Sequence, residues 1–395
     1  MLNTTPHPIR IAEYNLIAES LESEFQYNHP VRHVARQNTW KISLRFQSIR
    51  LSQHVTVIWQ RSLTRRTQNM AGIRYAQIGV GHAHATKMSV YRSSDDFEVV
   101  GVSESDPELR KRFADHAAYR DLKWMTEEEL LNAPGLQVVG VETKVRDLLP
   151  TAEKCVAAGK HVHIDKPAGE SLRHFKRILD EAARKHLAVQ MGYMYRFSPA
   201  VMFMRDCLTK GWLGEPFEVH TVMSKVVPAS SRKGLADYPG GIMFELGCHI
   251  LDLAIGVLGK PESVQSARQH ASSIDDGLVD NMLATLVYPK AIATVKSSAM
   301  EVEGFARRHF VVCGTEGTFH IEPLDRPNVR VAFSMPRSKY KKGYQTIEFG
   351  SYSRYTGDAA DLAAIIRGEK DPEFGYDHDL AVQETLLKAC GMPLS

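Results

Sequence analysis

A chain of 395 residues has room for about two domains, each large enough to bury its own core. A net charge of +3 with 24% charged residues leaves no nucleic-acid footprint, and no apolar run is long enough to span a membrane. The five cysteines (Cys155, Cys207, Cys248, Cys313 and Cys390) are scattered and odd in number, with no CxxC pair. That excludes a disulfide framework and points to a reducing compartment, read here as the cytoplasm.

Residues 1–70 differ from the rest of the chain. After Glu24 no acidic residue occurs until Asp95, while Arg32, Arg36, Lys41, Arg45, Arg50, Arg61, Arg65 and Arg66 accumulate. Periodicity is poor. The Arg65-Arg66 pair has no apolar stretch after it, so it does not read as an export signal. An Arg-rich, acid-poor N-terminus fits a transit peptide, but Met70-Ala71-Gly72 reads better as the true start. The stretch before it is expected to be disordered or spurious upstream translation.

Ile73 to Ile78 reads as a strand, followed by a turn carrying Gly79 and Gly81 and then the start of a helix. This is a phosphate-binding device. The glycines let the chain turn and approach a pyrophosphate, and the helix N-terminus presents free N–H groups. His84 stands where a third glycine is usual. A second strand, Phe97 to Val102, ends at Glu104, a little over twenty residues past the glycines. There an acidic side chain accepts hydrogen bonds from the adenosine ribose. Ser105 follows rather than an Arg, which predicts NAD over NADP.

The pattern then alternates. Pro107 to Ala118 is expected to be helical, and Thr126 to Leu131 a short capped helix. Leu136 to Val141 is a strand, Leu149 to Ala158 a helix closed by Gly159, and His161 to Ile164 a strand. Ser171 to Lys185 is a helix, and Leu187 to Gly192 a strand. Alternating strands and helices predict a doubly wound parallel sheet over residues 71–192, with ligands at the carboxyl ends of its strands. Beyond Tyr193 the texture changes. A helix from Ser198 to Lys210 precedes alternating runs at 217–224, 280–288, 291–298, 309–312 and 317–321, and a last helix covers about 380–389. Residues 193–395 are therefore expected to form an α+β domain with a mostly antiparallel sheet.

Two places carry candidate chemistry. Lys166, in Asp165-Lys166-Pro167, ends the fourth strand at the ligand edge. Its ammonium can hydrogen-bond a substrate oxygen and stabilise an alkoxide. Glu245 and His249 are four apart in a run that reads as helix after Gly240-Gly241, so they share one face, with Asp252 near it. A carboxylate beside an imidazole suits a general base near neutral pH. No third ligand stands at convincing spacing, so no metal is expected. His82 and His84, on the glycine turn, are read as lining a cofactor pocket, and Cys248 as a packing residue.

Taken together and in order, these motifs resemble the glucose–fructose oxidoreductase / inositol dehydrogenase / rhizopine-catabolism (Gfo/Idh/MocA) family. Its pattern is a dinucleotide fingerprint, then Glu-Lys-Pro, then Gly-Gly followed by Asp-x-x-x-His. Here the matching residues are Gly79 and Gly81, Asp165-Lys166-Pro167, and Gly240-Gly241 with Glu245 and His249, in a resemblance that runs from about residue 72 to the C-terminus. It implies a Rossmann domain, Lys166, Glu245 and His249 as catalytic residues, and a cofactor set of Gly79, Gly81, His82, Glu104, Thr143, Asp165 and Lys166. Tyr193 to Pro199 resembles the crossover into the second domain, where aromatic and Arg side chains either line the cleft or pack the junction. Asp165 is shorter than the common Glu, Glu245 is longer than the common Asp, and Lys144-Val145 replaces Pro-Asn after Thr143.

The function implied is an NAD-dependent oxidoreductase acting on a sugar, polyol or related hydroxyl compound. The alternatives are a redox-neutral glycosidase or epimerase of the same family, and a non-catalytic NAD or sugar sensor. The loop from Val226 to Tyr238 is expected to contact the substrate but carries no readable code. A sheet face left uncovered by helices would favour a homo-oligomer.

Overall fold

The computed structural model describes residues 72–394; the expectations for the N-terminal stretch lie outside them. The first sheet holds β1 (Ile73–Ile78), β2 (Phe97–Ser103), β3 (Trp124–Met125), β4 (Val138–Val141), β5 (His161–Ile164) and β6 (Val189–Met191). All pairs are parallel, in the spatial order β3-β2-β1-β4-β5-β6. The order reverses between β1 and β4, which places a crevice beside Gly79. Helices α1 (Met88–Ser93), α2 (Pro107–Phe113), α3 (Glu127–Leu131), α4 (Val145–Ala157) and α5 (Leu172–Arg184) connect the strands.

Local chemistry accounts for most boundaries. Thr126 and Glu129 form a reciprocal capping box on α3, and Ser171 caps α5 through the amide of His174. Among the helices joining the first sheet's strands, two depart from expectation. α2 ends at Phe113 instead of Ala118, because the chain turns inward to bury Ala118 and Tyr119 completely. The Tyr119 hydroxyl then donates to the Ala85 carbonyl at 2.7 Å. α4 begins at Val145, ahead of Pro150, because Val145 and Leu148 belong to the core. The two-residue strand β3 was too short to read from sequence.

The chain crosses over through α6 (Pro199–Thr209) into β7 (Pro216–Val222), α7 (Ala229–Ala236), a π-helical turn (Met243–Gly247) and α8 (Cys248–Leu258). The rest of the second sheet is β8 (Ser263–Gln269), β9 (Asn281–Val287), β10 (Ile292–Ser298), β11 (His309–Gly314), β12 (Gly317–Ile321), β13 (Val329–Phe333) and β14 (Gly343–Ile347), with α9 (Gly304–Arg307) before β11. Its order is β14-β13-β12-β11-β7-β10-β9-β8, antiparallel except at β7–β10. α8 and the last helix, α11 (Tyr376–Cys390), pack against this sheet. Alternate residues such as Val219, Ala284, Val295 and Val312 are buried on its inner face. The opposite face leaves Leu283, Ile292 and Tyr344 exposed. β8 escaped the sequence reading because it is an almost wholly exposed edge strand without apolar alternation.

α10 (Thr356–Ile366) does not stay with the second sheet. Its Ala359, Leu362 and Ala363 complete the apolar cluster of Tyr75, Tyr91, Val102 and Tyr119 on the first sheet. Among the described residues, no helix is long and apolar enough to cross a membrane.

Candidate active site

β1 ends in a turn that only glycine permits. Gly79 has φ +92°, and a Cβ there would stand 2.6 Å from the backbone of Glu142 and Thr143 at the end of β4. The turn is braced from β2. The Gly79 amide donates to the Ser103 carbonyl at 2.8 Å, and the Val80 amide to Glu104 Oε2 at 2.9 Å. Glu104 Oε1 accepts from the Asp106 amide at 2.9 Å. A cavity of about 530 Å³ opens here, and Gly79, Gly81, Glu104, Thr143 and Lys144 are in its wall. Helical structure resumes later than expected, through a 3₁₀ turn at Ala85–Lys87 before α1.

His82, Asp165 and Lys166 are not in that wall. Asp165 instead centres a buried polar cluster. Its Oδ2 is 2.5 Å from His82 Nδ1, and its Oδ1 is 3.1 Å from His84 Nδ1 and accepts from the Lys166 amide at 2.7 Å. Lys87, fully buried, sets its Nζ 2.9 Å from Glu142 Oε1, 3.1 Å from His163 Nε2 and 3.7 Å from Asp165 Oδ2. With an ammonium on Nε2, neutral His163 carries its proton on Nδ1 and donates to Gln190 Oε1 at 2.9 Å; Gln190 in turn donates to Asp361 at 2.9 Å. The cluster runs from the glycine turn to α10.

Charges in the cluster are unequally placed. Burial alone would raise the Asp165 carboxyl, but His82, Lys87 and His84 outweigh it and hold Asp165 well below the usual carboxylate range. Glu142 is pushed well up, by burial and then by the Asp165 charge. Burial, against the pull of Asp165, brings the His84 ring down to about 4, so it is neutral at physiological pH. One ring nitrogen each of His82 and His84 and an Asp165 oxygen lie within 4.8 Å of one another, a spacing a metal ion could bridge. Lys87 sits 3.7 Å from the same carboxylate, and a fixed ammonium opposes a second cation there. The arrangement works as two imidazoles oriented by one carboxylate.

The second candidate group differs from its expected geometry. Glu245 does not reach His249. Glu245 lies within the π-helical turn, whose wider winding breaks the four-residue register of an α-helix. Lys166 takes two of its acceptors: Nζ donates to the Glu245 carbonyl at 2.9 Å and to Oε1 at 3.3 Å. Burial would lower the Lys166 ammonium, but Glu245 most of all outweighs it, so Lys166 stays protonated. His249 is buried, with no hydrogen-bond partner on Nδ1 among the described residues. Burial, then the charge of Lys166, holds its ring well below the usual imidazole range. The rings of His84, Tyr195 and Tyr193 surround it at 5.7, 5.8 and 6.1 Å.

Asp252 also turns away from His249. It accepts from Arg196 Nε and Nη2, the closest contact 2.6 Å, and from His378 Nε2 at 2.9 Å. Arg196 completes a buried junction by donating to Asp379 at 2.6 Å. In the crossover segment, therefore, Arg196 packs the junction, while Tyr195 faces His249 and donates its hydroxyl to Asp325 at 2.9 Å. The expected substrate loop is largely helix α7, held by buried Arg232 through Asp276 and Asp280. Lys87, Glu142 and His163 were missed. The fold makes room for two of them at Gly192, where a Cβ would come within 3.1 Å of both Lys87 Nζ and His163 Nε2.

Comparison with known proteins fits this geometry. Residues 73–193 match the profile of an oxidoreductase family with an NAD-binding Rossmann fold, and residues 201–320 match the GFO/IDH/MocA C-terminal domain. The chain is 27% identical over 254 residues to the uncharacterized oxidoreductase YhhX of Escherichia coli, covering 63% of this chain and 69% of that protein. It is 28% identical over 194 residues to trans-1,2-dihydrobenzene-1,2-diol dehydrogenase of Sus scrofa, covering 46% of this chain and 55% of that enzyme. Among solved structures, an NAD binding oxidoreductase from Klebsiella pneumoniae superposes with TM-score 0.70 at 19% identity, over 80% of this chain and 96% of the other. UDP-N-acetylglucosamine 3-dehydrogenase GnnA from Acidithiobacillus ferrooxidans gives 0.66 at 18%, over 81% and 97%. At such identities the superpositions speak to fold alone.

Proposed function

Because the chain belongs to the Gfo/Idh/MocA family of oxidoreductases, we propose that it is an NAD-dependent dehydrogenase removing hydride from a hydroxyl-bearing carbon of a sugar, polyol or related compound. The observation that carries this reading is the pairing of a protonated Lys166 with a buried, neutral His249 whose Nδ1 is free among the described residues. A lysine ammonium has three donors, and two are engaged by Glu245. The third is available to a substrate hydroxyl. As hydride leaves the carbon, Lys166 holds the oxygen on which negative charge develops, and His249 takes the hydroxyl proton. A bound nicotinamide dinucleotide supplies the hydride acceptor. The residues of the glycine-turn cavity fit its phosphates and ribose: Gly79 and Gly81 keep the turn free of side chains, and Glu104 stands at the end of β2. The Glu104 carboxylate repels a 2′-phosphate, which supports NAD over NADP. Asp165 orients His82 and His84 and fixes the Lys166 backbone through its amide. On the second sheet, the exposed Leu283, Ile292 and Tyr344 form a face that a second copy of the chain would cover.

Turnover of the full chain with NAD or NADP and a panel of polyols, aldoses and glycosides, read by reduced-nicotinamide absorbance, tests the reading. Lys166→Ala is expected to lower kcat about a thousandfold, about 4 kcal/mol of barrier. Retained turnover in that variant would defeat the assignment. Equal turnover with both cofactors, or a preference for NADP, would overturn the cofactor choice. Since His249 must be neutral and its ring is held low, kcat/KM should stay level on acidification through the ordinary imidazole range and fall only below it.

A further inference from the structure

Beyond Lys166, one ammonium stands without a carboxylate of its own. Lys225 closely follows β7, where its amide donates to the Ser298 carbonyl at 3.1 Å. Its side chain is half-buried, and among the described residues its ammonium has no hydrogen-bond or ion-pair partner. Lys225 directly follows Ser224, whose carbonyl accepts from Arg308 Nε, and Glu245, Lys166 and Arg308 lie within electrostatic reach of its ammonium. Arg308 ties the segment carrying Lys225 to Asp325. Its Nε donates to the Ser224 carbonyl at 3.2 Å and its Nη1 to Asp325 Oδ2 at 2.8 Å. Asp325 is already shared with Arg354 and with the Tyr195 hydroxyl, whose ring faces His249. Lys166 is thus paired with Glu245, and Arg308 and Arg354 share Asp325, which leaves Lys225 as the cation of this group without a carboxylate. A half-buried ammonium without a partner costs desolvation that a bound anion recovers.

We propose that Lys225, with Arg308 beside it, selects substrates bearing an anionic oxygen group, a carboxylate or a phosphate, so that the substrate completes the ion pairing this group leaves open. This rests on the dehydrogenase reading for the hydroxyl being oxidised, while the charge argument is independent of turnover. Lys225 is a specificity residue; the proton and hydride steps remain with Lys166 and His249.

The test compares glucose with glucuronate and glucose 6-phosphate on the full chain with NAD. The anionic probes are expected to exceed glucose at least tenfold in kcat/KM. Lys225→Gln should collapse that ratio about tenfold through KM, Lys225→Arg should restore most of it, and added salt should erode it. Glucuronate against glucose 6-phosphate separates a carboxylate site from a phosphate site. A ratio near one, or a Lys225→Gln variant that slows glucose and the anions equally, overturns the proposal while leaving the dehydrogenase reading intact. If no sugar turns over, calorimetry with acetate and inorganic phosphate decides. Binding that Lys225→Gln abolishes supports the anion site even as the dehydrogenase reading fails. Absent binding, or binding unchanged by the substitution, overturns it.

Discussion

Two buried ion networks flank His249, and they share a plan: one cation between two carboxylates. In one, Arg196 lies between Asp252 and Asp379; in the other, Lys87 lies between Asp165 and Glu142. In each, one carboxyl is held low and the other pushed up, chiefly by burial. The difference lies in the cation. The Arg196 guanidinium gives Asp252 three directed hydrogen bonds and Asp379 one more, a rigid fork across the junction of the crossover segment, α8 and α11. The Lys87 ammonium is a point charge, and Asp165 takes its directed contacts from two imidazoles instead. A guanidinium network fixes a joint. An ammonium network with imidazoles keeps proton-bearing groups adjustable, and it is the one that touches the glycine turn and Lys166.

The sharpest way to break this comparison is to remove the guanidinium. Arg196→Met strands Asp252 and Asp379 in the interior and is expected to cost about 3–5 kcal/mol in urea denaturation. The folded fraction should keep its kcat within a few-fold, since Arg196 does not reach His249. A large loss of kcat at near-normal stability would show that the junction is part of the reaction.

Asp358 sits within electrostatic reach of both Lys87 and Arg196 and is bonded by neither; its buried carboxylate has no side-chain hydrogen-bond partner among the described residues. Burial raises it to about 6. The folded state therefore binds this proton more tightly than the unfolded chain. Its contribution to stability is fully present below the unfolded value and is lost as pH rises through about 6, a penalty of about 3 kcal/mol at neutral pH. Asp358→Asn should recover up to that amount near neutral pH and almost nothing at about pH 4. Destabilisation near neutral pH would show that the carboxylate is paired, and equal stabilisation at both would show that its ionisation is not the source of the penalty.

How much of this was legible depended on the range of the interactions. The parallel sheet, its order of strands and helices, and the second, mostly antiparallel sheet follow from local periodicity and caps such as Thr126 with Glu129. Gly79 and Glu104 were legible as well, because the turn and the strand end that meet at the cavity are set by short-range chain geometry. The pairing of Glu245 with His249 was misread, because a π-helical turn leaves no mark in residue spacing and Lys166, 79 positions away, competes for the carboxylate. Lys87 and Glu142 were invisible for a related reason. A charged residue in a sequence reads as surface until its buried partners are known, and those partners lie on other strands. The return of α10 to the first sheet, like edge strand β8, needed tertiary contacts to see.

The smallest effect is expected at Lys87, and it is the most informative about the ammonium network. Lys87→Met removes the charge that helps hold Asp165 ionised and the donor on His163 Nε2. Glu142, already pushed toward its protonated form, can take up a proton and relieve the loss, so stability should fall by no more than about 2 kcal/mol. Activity should move instead. The Asp165 carboxyl rises, His82 and His84 lose their fixed orientation, and kcat is expected to drop about tenfold to a hundredfold, with the acid limb of the pH profile shifted upward. Lys87→Arg should not rescue it, because Lys87 Nζ is packed 2.9 Å from Glu142 and 3.1 Å from His163 Nε2 in a fully buried site, where the larger planar guanidinium cannot take the place of a compact ammonium. If Lys87→Met destabilised the fold as severely as Arg196→Met and left the pH profile of the folded fraction unmoved, the two networks would be the same kind of structural brace, and the site's adjustable protons would have to be sought at His249 alone.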